Sequence, residues 1–261
     1  MNTRDRAVAR FLFRLLVGVV VAALLAPAAG AGEAQAPSGA EILKRVDANL
    51  GSDSKIVVSE MVIHGRRASR SIKAKSWTQG VTQSFTEYLE PAREAGAKML
   101  KLGDELWTYT PDTDRIIKIS GNLLRQSVMG SDLSYEDMME DPVLGNIYEA
   151  AVAGEDAALE RPCWILALTA KREDIAYFKR KAWVDKERFV ILREEMYARS
   201  GKLLKTLNAK SVKRFGARWV PDQMVFKDVM KTGDGTEFNI ESMELDAVIP
   251  DYVFSKASLR R

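Results

Sequence analysis

The chain contains one histidine and one cysteine, which limits the catalytic sites that its side chains can form. Cys163 lies in an apolar run that ends at Leu168, and apolar surroundings raise the pKa of a thiol and leave it unreactive. His64 precedes Gly65 at the end of an alternating run, a position typical of a half-exposed strand end. A thiol–imidazole pair is therefore not predicted. Because Cys163 has no disulfide partner, it is predicted to be a buried core thiol.

Carboxylates are clustered between positions 132 and 141, where a cation site would be the first chemistry to consider. The cluster consists of Asp132, Glu136, Asp137, Glu140 and Asp141. Their spacing does not match the alternating oxygen ligands of an EF-hand loop, and the solvated face of a capped helix accounts for them. The chain also lacks a nucleophile elbow, a phosphate-binding loop and zinc-ligand spacings. The sequence predicts no metal, no cofactor and no enzymatic activity, and leaves as an alternative an enzyme that acts on lipids with carboxylates alone.

Three methionines, Met129, Met138 and Met139, belong to a segment from Ser120 to Asn146 that interrupts the surrounding alternation. Apolar residues recur there at helical spacing, and Ser134 with Asp137 forms a capping pair. Flexible methionine side chains can repack around ligands of irregular shape. The segment is predicted to be a helical insertion, which acts either as a lid over a ligand or as a plug that fills the core.

The elements around this insertion are a single early helix and a long series of strands. Ser38 and Glu41 form a capping box for a helix that stops at Gly51. From Lys55 onward the apolar period is two, and turn residues recur about every ten positions, so about twelve antiparallel strands are predicted. The apolar parity changes between Ile240 and Met243, which indicates a β-bulge and a strongly curved sheet.

The charge distribution separates an N-terminal segment from the rest of the chain. The chain has 39 basic and 36 acidic residues, and residues 1–31 contain four arginines and one aspartate, which leaves 35 of each sign. A chain with equal numbers of basic and acidic residues has no net positive field that would attract nucleic acid. The arginines, the apolar run from Leu15 and the Ala29-Gly30-Ala31 site predict a signal peptide over 1–31, with a membrane anchor as the alternative. Residues 32–261 are predicted to be one domain in the periplasm.

Three motifs carry a resemblance to a known family. They are Leu106-Trp107-Thr108-Tyr109-Thr110-Pro111, Asp114 to Ser120, and Met129-Gly130-Ser131-Asp132-Leu133-Ser134-Tyr135-Glu136-Asp137. The chain resembles the outer-membrane lipoprotein-sorting protein family, which is related to the periplasmic lipoprotein carrier LolA, and the third motif is the specific part. The resemblance implies an incomplete antiparallel β-barrel, covered by an N-terminal helix and an inserted helical lid, that encloses an apolar cavity for acyl chains.

The predicted function is therefore a periplasmic carrier of lipids or acylated lipoproteins towards the outer membrane, monomeric, with an inner-membrane transporter as a further partner. The alternative is an accessory or sensing module of an inner-membrane lipid exporter. Apolar residues of the strands and of the insertion are expected to line the cavity. They are Trp77, Phe85, Leu100, Trp107, Tyr109, Ile117, Leu124, Val128, Met129, Leu133 and Met138.

Overall fold

A computed structural model describes residues 36–65 and 68–261 of the chain. In this part of the chain, thirteen antiparallel strands form one sheet. The strands are β1 (Ser54–His64), β2 (Ser69–Gln79), β3 (Gln83–Glu90), β4 (Lys98–Leu102), β5 (Glu105–Thr110), β6 (Arg115–Ile119), β7 (Tyr148–Ala158), β8 (Arg161–Ala170), β9 (Lys179–Asp185), β10 (Ile191–Tyr197), β11 (Leu203–Phe215), β12 (Arg218–Asp228) and β13 (Gly235–Leu245).

The sheet consists of two meanders that are joined where β1 pairs with β13. Its order is β6-β5-β4-β3-β2-β1-β13-β12-β11-β10-β9-β8-β7, so the edge strands are β6 and β7 and the sheet is not closed. The predicted fold class, a curved antiparallel sheet with helices, is confirmed. Because β6 and β7 are consecutive in sequence but lie at opposite edges, the segment between them has to cross the sheet.

The predicted bulge lies in β13, opposite β1. Val58 is paired with Ser242, whereas the next residue, Ser59, is paired with Ile240, so Glu241 is the extra residue. A bulge increases local twist and bends its strand, and this one lies at the junction of the two meanders. The local change of apolar parity in the sequence therefore identified the position at which the sheet is bent.

The first helix, α1 (Gly39–Leu50), begins at the predicted capping box, in which the Ser38 and Glu41 side chains each bond to the other residue's backbone N–H. Its apolar residues, including Ile42 and Val46, pack against β7, β8 and β9. Gly39 lies so close to β7 that an added Cβ would be 2.5 Å from the Ala150 carbonyl oxygen. Only glycine allows this close approach, which places the start of the helix directly on the edge strand.

The insertion between β6 and β7 has less regular helix than its sequence pattern indicates. It contains 3-10 turns at Gly121–Arg125 and Val128–Gly130, followed by two short helices, α2 (Tyr135–Met139) and α3 (Leu144–Ile147). Met129 and Gly130 both have positive φ, 50° and 72°, which interrupts a continuous helix at this point. The predicted Ser134–Asp137 capping box is present at the start of α2.

The C-terminal segment covers part of the sheet on the face away from the insertion. After β13 it forms 3-10 turns at Asp251–Phe254 and Lys256–Arg260. Phe254 and Leu259 are buried against residues of β3, β4 and β5. Both faces of this part of the sheet are therefore apolar and covered.

Within the described residues, no helix has the length and apolar character required to span a bilayer. The predicted signal peptide, residues 1–31, lies outside the described residues, and its cleavage and the predicted domain bounds stay predictions.

Candidate functional site

A cavity of about 360 Å³ lies between the sheet and the insertion. Drug-sized ligands occupy pockets of about 300–1,000 Å³ that are lined mainly by apolar side chains. Strands from both meanders contribute to the walls, and α2 covers one side. Its apolar lining consists of Met61, Ile72, Ala74, Tyr88, Met99, Val128, Leu133, Met138, Met196, Leu207, Met224, Phe226 and Phe238. We call this space the apolar cavity.

Five of the ten methionines of the chain line the apolar cavity. Only Met138 belongs to the insertion, whereas Met61, Met99, Met196 and Met224 come from four different strands. Unbranched thioether side chains adapt to different shapes, so a wall of this composition can accommodate ligands that have no fixed outline. The sequence pattern indicated adaptable methionines in the insertion, but the strands supply most of the methionines that line the cavity.

One end of the apolar cavity is polar and is centred on Asp137 of α2. Lys205 of β11 forms a buried ion pair with this carboxylate, and the Tyr177 hydroxyl donates to its Oδ1 atom at 2.6 Å. Burial would raise the pKa of Asp137, but Lys205 and these hydrogen bonds outweigh burial and hold the pKa below its usual value. Asp137 is therefore ionised at neutral pH, and its contacts fix α2 to the sheet.

Arg180 of β9 is the second centre of this polar end and is almost completely buried. It donates to the Tyr148 hydroxyl at 2.8 Å and to Oε1 of Glu194 at 3.1 Å, and it forms an ion pair with Glu140. Burial raises the pKa of Glu194, and the charge of Arg180 only partly opposes this effect. The guanidinium thus links a strand carboxylate to the segment that follows α2.

The structure brings three of the predicted lining residues, Val128, Leu133 and Met138, to the apolar cavity. Met129 packs beside them in the same cluster. Leu124 packs instead against Met99 and other residues of β4, β5 and β6. The insertion therefore contributes to the cavity wall, mainly through residues 128–138, and the binding of a ligand by these residues stays a prediction.

The predicted strand residues lie elsewhere, so their assignment to the cavity wall is corrected. Five of them form a separate cluster with the C-terminal segment: Trp77, Phe85, Leu100, Trp107 and Tyr109. On β2, β3 and β4 a neighbouring position faces the cavity, as Thr86 does beside Phe85 and Met99 beside Leu100. Ile117 of β6 is 47% exposed. Strands β2 to β5 carry apolar residues on both faces, and alternation alone does not show which face meets the insertion.

The apolar lining residues that the sequence did not indicate lie on β1 to β4 and on β10 to β13. Phe226 and Phe238 lie on the paired strands β12 and β13, two positions apart in register, and both face the cavity. The sequence did contain a signal for some of these lining residues, because Phe238 belongs to an alternating apolar series and the chain is rich in methionine. The missing information was the pairing of β1 with β13, which brings the two meanders together.

The residues considered for catalysis are far apart in the sheet. Cys163 is buried in β8, where burial raises its pKa, and five strands separate β8 from β1, which carries His64. His64 contacts Ser69 at 2.9 Å and Glu237 at 3.1 Å at the strand end. Among residues 36–65 and 68–261, no group of three His, Cys, Asp or Glu side chains is placed to hold a metal ion.

A family model with the description "-like: Uncharacterized protein" matches residues 80–261, well over half of the chain. The chain belongs to this family. The matched region runs from the β2–β3 turn to the C-terminus and so includes the insertion with α2. No curated protein is significantly similar to the chain in sequence.

Solved structures with the same fold cover most of the chain. A DUF1329 family protein from Desulfovibrio piger is 24% identical, with a TM-score of 0.77, over 85% of this chain and 97% of its own. An outer membrane lipoprotein-sorting protein domain from Vibrio parahaemolyticus has a TM-score of 0.75 at 24% identity, over 85% of this chain and 98% of its own. For a LolA superfamily protein from Nitrosomonas europaea the TM-score is 0.70 at 23% identity, over 85% and 100%. The predicted resemblance and the LolA-like fold are confirmed.

Proposed function

We propose that this protein is a periplasmic carrier that shelters acyl chains of lipids or lipoproteins in the apolar cavity. The observation that carries the proposal is the methionine-rich lining, which two meanders and α2 build together. The names of two similar structures, a lipoprotein-sorting domain and a LolA superfamily protein, support the same class of ligand. The carrier is proposed to work as a monomer, without metal, cofactor or catalytic step.

The physical need for such a protein follows from the hydrophobic effect. Each methylene removed from water contributes about 0.8 kcal/mol, so an acylated molecule crosses an aqueous compartment only with apolar shelter. The cavity has to release its ligand as well as bind it. Adaptable methionine walls and a cover of short helices suit this requirement better than a rigid, closely fitted pocket.

The periplasmic location is part of the proposal and rests on the N-terminal sequence. Arginines followed by an apolar run and Ala29-Gly30-Ala31 are typical of an export signal. We also propose transport towards the outer membrane from a donor in the inner membrane. The name of the Vibrio structure, an outer membrane lipoprotein-sorting protein domain, supports the direction of this transport.

A matched pair of variants tests acyl binding in the cavity. Leu207 of β11 lines the apolar cavity, whereas its neighbour Asn208 is exposed on the other face of the strand. Leu207→Trp should fill part of the cavity and weaken the binding of a fluorescent fatty acid by about tenfold, the equivalent of roughly 1.4 kcal/mol. Asn208→Trp adds the same side chain outside the cavity and should leave the affinity unchanged.

The outcome separates the carrier from the alternative functions. Wild-type protein should bind the fatty acid saturably at a 1:1 ratio, with the same affinity in EDTA. A folded protein that binds no acyl probe would favour the accessory or sensing module. If the acyl probe binds, native mass spectrometry of the protein purified from its own envelope would identify the cargo by its added mass. The Leu207→Trp variant should carry less of this bound cargo.

A further inference from the structure

A second cavity, of about 330 Å³, lies beside the end of α1. Its walls come from the α1–β1 connection, the β2–β3 turn at Gly80 and the insertion at Pro142 and Val143. Two cationic side chains, Lys55 of β1 and Arg218 of β12, line this space together. We call it the cation recess.

Arg218 has a donor without a partner. Its Nη1 atom is buried, and no described residue accepts a hydrogen bond from it. A buried donor that is left unsatisfied costs the free energy of its lost hydration, and charged donors cost more than neutral ones. Nearly all such groups in folded proteins have a partner, so this donor is available to an acceptor that enters the recess.

Lys55 adds a second charge at the same place. Its ammonium group donates one hydrogen bond, to the Leu50 carbonyl at 3.2 Å, and so has further donors available. Burial lowers the pKa of Lys55, and the nearby charge of Arg218 lowers it further. Neither cation forms a salt bridge with a residue in the described part of the chain.

Two carboxylates, Asp53 and Asp246, also line the recess, but both residues are exposed at its rim. Asp246 accepts a hydrogen bond from the Ser52 hydroxyl at 2.8 Å. Among residues 36–65 and 68–261, no carboxylate contributes to the pKa shift of Lys55. The inner part of the recess therefore holds two like charges whose repulsion these residues do not relieve.

We propose that the cation recess binds an oxyanion, a phosphate or carboxylate group, between Lys55 and Arg218. An anion placed there removes the repulsion between the two cations and accepts the hydrogen bond that Nη1 of Arg218 does not make. Hydrogen bonds between ionised partners are about twice as strong as neutral ones, and a guanidinium fits the geometry of phosphate and carboxylate.

The position of the recess gives two sources for this group. The register between β1 and β2 is regular from Ser54 to His64, so Lys55 points to the same face of β1 as Ser59 and Met61, which line the apolar cavity. The oxyanion is either a free ion such as phosphate or the headgroup of an amphipathic molecule whose chain occupies the apolar cavity. The second source rests on the proposed function, whereas oxyanion binding itself does not.

Three probes and three variants of the full chain test the proposal by titration calorimetry at constant ionic strength. The probes are inorganic phosphate, dodecyl phosphate and uncharged dodecanol. The variants are Lys55→Gln, Arg218→Gln and, as a control with the same charge change at an exposed position, Lys202→Gln. Wild-type protein and Lys202→Gln should bind at least one phosphate probe, and each recess variant should weaken that binding about tenfold or more.

The pattern of binding distinguishes the sources. Inorganic phosphate bound as tightly as dodecyl phosphate identifies a site for a free ion. Dodecyl phosphate bound more tightly than both other probes, with this advantage lost in Arg218→Gln and dodecanol binding unchanged, identifies a headgroup site. Failure of dodecanol binding with phosphate binding intact would contradict the carrier function but not the recess.

The proposal is overturned if wild-type protein binds neither phosphate probe, or if either recess variant binds them as wild type does. Folding of the variants is checked by the melting temperature, which should stay close to that of wild type, because neither cation forms a salt bridge with a described residue. Should a variant fail to fold, wild-type protein provides a separate test. Its melting temperature should rise with phosphate and not with chloride of equal ionic strength, and the absence of that rise counts against the site.

Discussion

Glu194 and Asp137 lie at the same polar end of the apolar cavity, yet their pKa values are shifted in opposite directions. Asp137 has Lys205 and a tyrosine hydroxyl as close partners, so its ionised form is stabilised. Glu194 is buried more completely and shares Arg180 with Glu140. At the scale of single residues, the balance between burial and partners decides which carboxylate is held as an anion.

The raised pKa of Glu194 predicts a dependence of stability on pH. An acid whose pKa is higher in the folded state than in the unfolded state, where it is 4.5, binds more protons when folded. The free energy of unfolding therefore falls as pH rises from about 4.5 through the folded-state pKa. Glu194→Gln should reduce this decline, as measured by urea unfolding at pH 5 and pH 8.

Glu195→Gln is the matched control. The Glu195 carboxylate accepts a hydrogen bond from the Tyr197 hydroxyl at 2.5 Å, and its pKa is lowered. This variant should keep the wild-type decline between pH 5 and pH 8. Equal pH dependence in wild type and Glu194→Gln would show that Glu194 does not titrate in this range.

At the scale of elements, the insertion is held to the sheet by polar contacts at several points. Asp132 accepts hydrogen bonds from the Asp228 backbone N–H and the Thr236 hydroxyl, both at 2.9 Å. Asp137 and Glu140 add ion pairs to β11 and β9. The segment is thus fixed to the sheet near Asp132 as well as at α2, and α2 also faces the apolar cavity.

Asp132→Ala should destabilise the contact between the insertion and strands β12 and β13. The substitution leaves the Asp228 N–H and the buried Thr236 hydroxyl without their acceptor, and each unsatisfied group costs about 1–3 kcal/mol. The expected loss in the free energy of unfolding is about 3 kcal/mol, measured by urea denaturation. Asp104→Ala, at an exposed turn, should have no comparable effect, and a loss below about 1 kcal/mol for Asp132→Ala would mean that this contact is not an anchor.

Two further substitutions compare a fully buried and a partly buried position of the insertion, both of which line the apolar cavity. Val128 is 2% exposed among core residues, so Val128→Asp buries an unpaired carboxylate and should unfold the protein or abolish its yield. Met138 is only partly buried and lines the cavity, so Met138→Asp should keep the circular dichroism signal of the sheet and weaken acyl binding.

Cys163→Ala is the comparison for both, with a modest loss of stability and unchanged acyl binding, because the thiol is buried in β8 away from the cavity. If Val128→Asp and Met138→Asp both fold and bind acyl probes normally, the insertion is neither lid nor cavity wall. If both unfold, the whole insertion acts as a plug.

At the scale of the whole molecule, the two meanders are separate in sequence and are joined by β1 and β13. The apolar cavity depends on this junction, because β2, β3 and β4 line one side and β10, β11 and β12 line another. A change that separates β1 from β13 would therefore open the cavity even if every hairpin remained intact.

Export is the prediction that belongs to the full-length chain. The N-terminal pattern predicts cleavage after Ala31, so protein recovered from the periplasm should begin at Gly32 and remain in the soluble fraction. Intact mass measurement and fractionation test this directly. A mass that includes residues 1–31, together with partition into membranes, would instead support a membrane-anchored accessory protein.

Local features of this protein were determined by its sequence alone. The Ser38–Glu41 and Ser134–Asp137 capping boxes, most of the turns and the bulge near Glu241 follow from residues that are close together in the chain. Capping, turn chemistry and apolar period act over a few residues, so a sequence reports them directly. The predicted curved antiparallel sheet followed from these signals and from the family resemblance.

The identity of the cavity wall was decided only by the tertiary structure. Phe85 and Thr86 alternate in one strand, but the C-terminal segment covers the face of Phe85, and the insertion covers the face of Thr86. Both covering segments are distant in sequence from β3, and burial by either is favourable for an apolar side chain. The pairing of β1 with β13 and the path of the insertion across the sheet therefore determined which side chains line the apolar cavity.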